Sequence, residues 1–391
     1  MKYYPWIVAG ILLLTQTHVE SAEMSPNEKG VLWSQKMQDL YTTLADLLTD
    51  VASDQRFKNP KNYSRIQNNA NKLLTLTHDM DRSEKIPDGD PTLPIVGNIL
   101  HSNLEQAATQ LKAGNRAYAR TILRSVPGYC IACHTRNMSG PQFSKLPLAP
   151  KGKLSPLERG EFFTATRQFD RAQKEFLSVI QGSAEGTGIW DWDSSIRQAL
   201  SIAIRVKKDP DQTKEIVQNV LKSPIAPTFM KDDAKTWLSS VQEWQKESSR
   251  RTPTEDGLYI EAARLMDKAR EIQKYPMDRS ADVYFLRAGA VLHELLQVAP
   301  KGQRAPEALL LTGIVYEVMN PIQTDNLHEI YYETCIRKVP HTALAEVCYQ
   351  RYEKSVYLGY TGSSGTHLPP EVRKHLSNLQ KLSQPESATK N

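Results

Sequence analysis

Residues 130–134 read Cys-Ile-Ala-Cys-His. Two thiols three positions apart can add across the two vinyl groups of one haem. The imidazole that follows directly reaches the iron from the same helical turn. With four cysteines and nine histidines among 391 residues, random placement gives about 0.001 such matches per chain. Two other chemistries use a C-x-x-C pair. A dithiol redox couple sits in a βαβ context, and half of a zinc site needs a second ligand pair at matching spacing. The sequence offers neither. The spacing therefore predicts one covalent haem c, held by Cys130 and Cys133, with His134 as the proximal iron ligand.

The two remaining cysteines, Cys335 and Cys348, flank Lys338-Val339-Pro340-His341, a turn between two helical segments. Their near-symmetric placement about that turn predicts a disulfide in an oxidising compartment, the alternative being two buried thiols. Residues 357–370 form a glycine-rich stretch in which His367 and Tyr360 face a ligand or, more plainly, an exit loop leads to a last helix. It lacks the G-x-x-x-x-G-K pattern of a phosphate loop. Trp190-Asp191-Trp192 and Tyr331-Tyr332 read as packing within helix pairs. No Ser-His-Asp or paired-carboxylate constellation stands out, so no enzymatic activity is expected.

These residues have to be positioned by helices. Apolar residues recur three and four apart along most of the chain, and sustained period-two alternation is absent, which predicts an all-α fold. Lys2, the apolar run Trp6–Leu14 and the small residues up to Ala22 read as a signal peptide, residues 1–22, too short for a membrane span. That places the mature chain in the periplasm without an integral membrane span. The net charge of +5 is too small to argue for nucleic acid and is compatible with acidic protein partners. Four helices are expected before residue 138, near 27–53, 63–80, 96–113 and 116–137, with a kink at Pro127-Gly128. Residues 23–138 then form a haem-binding four-helix bundle and 139–153, rich in proline, a linker. Residues 154–391 read as helix pairs. Gly160 with Ala172-x-x-x-Phe176, and Gly313-x-x-Tyr316, match a tetratricopeptide pattern in part, so this region resembles tetratricopeptide-like helical repeats.

On Cys130, Cys133, His134, the helix count and the late position of the motif, residues 27–138 resemble the cytochrome c-prime and cytochrome c-556 family. The resemblance implies a four-helix bundle with its haem at the end of the last helix. Pro127-Gly128 before the motif, and Arg136 closer in than the family's usual basic residue, depart from that pattern. An up-down bundle lines this end with Met37, His78, Met80 and His101. Met37 lies where six-coordinate members carry their axial methionine, so it is the tentative distal iron ligand, core packing being its other reading. His78 and Met80 read as exposed, and His101 as a second candidate or a surface residue. Arg136 and Arg124 either balance haem propionates or are solvated helix charges. Family members dimerise through their first two helices, which leaves a homodimer open. A His/Met pair suits single-electron transfer with a redox partner protein, the repeat surface docking a partner. An open distal face suits a haem-based sensor that binds nitric oxide or carbon monoxide.

Overall fold

A computed structural model describes residues 26–52, 54–78, 80, 93–136, 154–182, 188–247, 254–276, 278–319 and 327–385. The proposed signal peptide, residues 1–22, and linker, residues 139–153, lie outside the described residues. The fold is all-α, and among the described residues the one sheet is a two-stranded hairpin. No described helix is long and apolar enough to cross a membrane.

The first half is built from α1 (Pro26–Val51), the short α2 (Asp54–Lys58), α3 (Tyr63–Thr77), α4 (Leu93–Lys112) and α5 (Arg116–His134). Each long helix buries a stripe with helical spacing: Tyr41, Leu44, Leu48 and Val51 on α1; Ile66, Ala70 and Leu73 on α3; Val96, Leu100, Leu104 and Ala107 on α4. On α5 the stripe is Ala119, Ile122, Leu123, Val126, Tyr129 and Ala132. The helices pack in succession, α1 on α3, α3 on α4 and α4 on α5. The sequence reading had no place for α2, which buries Phe57 and turns the chain between α1 and α3. Asp50, fully buried, accepts from Arg56 at 3.1 Å and Arg65 at 2.7 Å and pins that corner. Arg120 reaches across to the end of α1, donating to the Val51 carbonyl at 2.8 Å and the Ala52 carbonyl at 2.9 Å. Pro127 removes one backbone donor inside α5, yet the helix continues to His134. The motif thus occupies the last two turns of an unbroken element.

The second half comprises α6 (Pro156–Ala165), α7 (Phe169–Ile180), α8 (Ile189–Ser201), α9 (Pro210–Lys222), α10 (Thr228–Lys246), α11 (Glu255–Ile272), α12 (Asp282–Val298), α13 (Ala305–Val318), α14 (Leu327–Lys338), α15 (Ala343–Gly359) and α16 (Pro370–Ser383). Neighbours in sequence pack together: α6 on α7, α9 on α10, α11 on α12, α13 on α14, α15 on α16. Starts are marked locally. Ser155 and Glu158 form a reciprocal capping box on α6, and Asp209, Thr254 and Thr342 cap α9, α11 and α15. Gly160 lies so close to Phe176 that a Cβ there would meet the ring at 2.3 Å, and Gly313 lies against Tyr332 in the same way at 2.4 Å. The second partner escaped the sequence pattern because Tyr332 is three positions later than the spacing of the first pair would put it. Helix α12 is buried nearly all round, from Asp282 to Leu296, which marks it as the central helix of this half. It packs on α8, α10, α11, α13 and on Ile202–Val206, a π-helical turn that extends α8.

The two halves meet. Helix α5 packs on α6, and Tyr41 of α1 lies 5.7 Å from Phe162 of α6, ring centre to ring centre.

Candidate covalent cofactor site

Cys130 and Cys133, one helical turn apart, share a face of α5, and His134 follows on the next position of the same turn. Both cysteines are half-buried against the core, and neither is in a disulfide. Burial pushes the Cys130 thiol up to about 12, and Cys133 beside it adds to the effect. A reactive dithiol has the opposite arrangement, with the motif at a helix N-terminus where the thiolate is stabilised. Here the motif closes a helix, where the dipole disfavours an anion. Cys130 is thus held as a neutral thiol.

His134 is also held neutral. Burial is the main cause and the charge of Arg167 the second; together they lower its pKa to about 4, although the bond to the Ala165 carbonyl opposes them. Its Nδ1 contacts that carbonyl, at the end of α6. A carbonyl only accepts, so Nδ1 carries the proton and Nε2 keeps its lone pair. That tautomer is the one a metal-ligating histidine adopts when a backbone carbonyl orients it. Two cysteines on one helical face, neither in a disulfide, and a neutral imidazole whose Nδ1 is engaged by a carbonyl are a donor set that fits a covalently attached haem.

Helix α6 and the turn after it complete the surroundings. Arg167 has φ of 57° and donates from Nη1 to the His134 carbonyl at 3.2 Å. Left-handed backbone at a bulky residue is held only by its surroundings, here the packed α6–α7 corner. Neither Ala165 nor Arg167 carries a signal in the sequence: one acts through its backbone, and the other depends on a corner visible only once α6 and α7 have packed.

The other candidates fall as follows. Fourteen positions separate Met37 from Val51 and His134 from Arg120. With Arg120 bonded to Val51, Met37 and His134 therefore lie toward the same end of α1 and α5. Met37 is half-buried there. Asn103 donates to the Tyr129 hydroxyl at 2.7 Å, which sets His101 near the level of the motif. His101 Nδ1 lies 3.1 Å from Thr77 Oγ1, and its ring meets His78 edge-on at 5.6 Å. Met80 packs on Gly97. Arg124 faces Glu158 at 3.9 Å and is half-exposed, whereas Arg136 is buried and stands over the Tyr331 ring, 5.8 Å from its centre.

Cys335 and Cys348 form a disulfide joining α14 to α15, with Cα atoms 6.3 Å apart. The stretch after α15 folds into a hairpin in which Thr361 pairs with Thr366 and Gly362 with Gly365. His367 closes it, its backbone N–H donating to Tyr360 at 3.0 Å and its ring lying 3.2 Å from the Ser364 carbonyl. These hydrogen bonds tie His367 and Tyr360 into the hairpin. Trp192 is buried and donates to the Ile180 carbonyl at 3.0 Å, but Trp190, expected to pack, is 81 % exposed.

Comparison with protein-family models, with curated proteins and with solved structures found no match to this chain.

Proposed function

We propose that this chain is a periplasmic monohaem c-type cytochrome that carries single electrons. In this reading α1, α3, α4 and α5 form a four-helix haem domain resembling the cytochrome c-prime and c-556 family. Helices α6–α16 form a tetratricopeptide-like array that docks a protein partner. The observation that carries the reading is the Nδ1 contact of His134 to the Ala165 carbonyl, one residue beyond two cysteines on a shared helix face. It selects the tautomer that presents Nε2 to iron. A haem bound here supplies a one-electron couple.

The chain's own residues supply the rest. Cys130 and Cys133 would hold the macrocycle on α5, and His134 would offer Nε2 to its iron. The Ala165 carbonyl orients the imidazole and raises its basicity, as such outer partners do. Arg167 holds the α6–α7 corner that presents this carbonyl. Met37, half-buried at the same end as His134, would be a second ligand to that iron, which would favour an electron carrier over an open, gas-binding iron.

The test is the visible spectrum of protein made in cells able to attach haem, oxidised and reduced, with and without carbon monoxide. An alkaline pyridine spectrum of two thioether links, with a methionine–iron charge-transfer band and no carbon monoxide response, is the expected result. A high-spin spectrum that shifts with carbon monoxide replaces the electron carrier by the gas-binding protein. Protein without haem ends both readings.

A further inference from the structure

Deep in the second half, five elements converge on a cluster that the motif does not explain. Arg205 comes from the π-helical turn, His293 from α12, Tyr316 from α13 and Tyr331 from α14. Arg136, two residues past His134, comes from the end of α5. Each of these five side chains is less than a tenth exposed. They form a column: the Arg136 guanidinium stands 5.8 Å from the Tyr331 ring centre, Tyr331 stacks on Tyr316 at 5.1 Å, and Arg205 lies 5.2 Å from the Tyr316 ring centre. His293 meets both rings edge-on at 5.9 Å.

Within this column Arg205 and His293 each keep a buried nitrogen without a partner. Arg205 donates to the Tyr316 hydroxyl at 2.5 Å, and its Nε has no partner. His293 Nε2 lies 3.1 Å from the same hydroxyl, while its Nδ1 also has no partner. Burial first, then the charges of Arg136 and Arg205, hold His293 far below its ordinary pKa, and no carboxylate opposes them. Among the described residues no acid pairs with Arg205. Two other buried guanidiniums of this half carry acids: Arg279 has Asp193 at 2.5 Å and Asp282 at 2.9 Å, and Arg197 has Asp193 at 2.7 Å. A buried guanidinium without a countercharge is costly, and the usual resolution is an anion. The element that carries Arg205 points the same way, because π-turns concentrate at functional sites.

We propose that Arg205, Tyr316 and His293 form a buried anion site that takes a carboxylate. Arg205 offers Nε beside the nitrogen already bonded to Tyr316, the fork that a carboxylate matches with two hydrogen bonds. The His293 Nδ1–H tautomer is a third donor. Two sources share this chemistry: a propionate of the haem whose ligand lies two residues from Arg136, or a free small carboxylate. The first source rests on the haem reading above; the second does not.

The experiment uses the full chain with haem attached, as wild type, Arg205→Gln and Tyr316→Phe. The last variant keeps the ring stack and removes only the hydroxyl, so it serves if Arg205→Gln fails to fold. Two quantities are read: the reduction potential, and the unfolding temperature in sodium malonate against sodium chloride of equal ionic strength. With a propionate in the site, Arg205→Gln lowers the potential because a cation is lost beside the haem, Tyr316→Phe lowers it less, and malonate has no effect. With a free carboxylate, malonate raises the wild-type unfolding temperature by about 3 °C or more, both variants lose that rise, and the potential stays. A wild type indifferent to malonate, with variants of unchanged potential, overturns the proposal whatever they do to stability. If the pyridine spectrum shows no haem, the haem reading has failed, and the malonate comparison still decides the site.

Discussion

The chain holds two cysteine pairs in two regions, and the helices around them give each a different fate. Cys130 and Cys133 lie one turn apart on a single helix, where side chains at i and i+3 sit about 5–6 Å apart between Cβ atoms. A disulfide needs roughly 3.5–4.5 Å. Helical geometry therefore holds the two thiols parallel and apart, both turned to one side. Cys335 and Cys348 sit on two helices, α14 and α15, folded back on each other across a turn. There the approach of two elements closes the distance, and the pair is oxidised. Thirteen residues across a hairpin make a staple, whereas three along one helix leave two cysteines side by side on one face, neither in a disulfide.

The sharpest way to break this comparison is to remove each pair in turn. Replacing Cys130 and Cys133 by Ala is expected to abolish covalent haem, so that acid–acetone extraction leaves colourless protein. Replacing Cys335 and Cys348 by Ala is expected to leave the haem spectrum unchanged and to cost about 3 kcal/mol, the loop-closure value for a ring of this size. Acid–acetone extraction of both double variants reads the first effect, and chemical denaturation reads the second. A loss of haem in the second would mean that the two regions are not separable.

The same contrast explains what the sequence made legible. The motif could be read because its geometry is contained in five consecutive residues, and the disulfide because one turn relates its two ends. Both halves read as helical because Leu44, Val51, Ile122 and Val126 and their counterparts repeat at helical spacing. Sequence spacing could not reach features made by elements that meet late. The Ala165 carbonyl has no side chain to announce it. Arg205, His293 and Tyr316 look like ordinary residues of three helical stretches until α12 and α13 fold around the π-turn. Trp190 and Trp192 differ by two positions and so point in different directions on α8. Only one is buried, although composition made them look alike.

Tight glycines test whether the partial repeat pattern marks real packing units. At Gly160 and Gly313 a Cβ would collide with Phe176 and Tyr332, rings that fill the cores of their helix pairs. Substituting Ala at either is expected to destabilise by about 1–3 kcal/mol through overpacking, measured by urea titration. Gly188, with nothing within 4 Å of its would-be Cβ, is the control and should tolerate Ala with little change. If Gly313→Ala proves neutral while Gly160→Ala does not, the second pair is not a copy of the first.

The smallest expected effect separates the two regions by pH. Glu161, on α6 beside the candidate site's half, is raised to about 7, mainly by burial and then by Glu158, while Gln198 bonds it at 3.1 Å. The folded chain therefore holds a proton there that the unfolded chain releases above about 4.5, so stability falls as pH rises from 4.5 to 7. Near the disulfide, Glu333 is shifted the other way. Burial alone would raise it, but His375 at 3.1 Å and Arg337 at 2.7 Å together hold it below its usual value. Its contribution is present above pH 4.5 and is lost as pH falls below that point. Glu161→Gln should flatten the decline of stability between pH 4.5 and 7 and leave the acid limb alone. Glu333→Gln should soften the acid limb only. Urea midpoints followed from pH 4 to 8 distinguish the two, and identical profiles for both variants would mean that neither carboxyl is held as its surroundings imply.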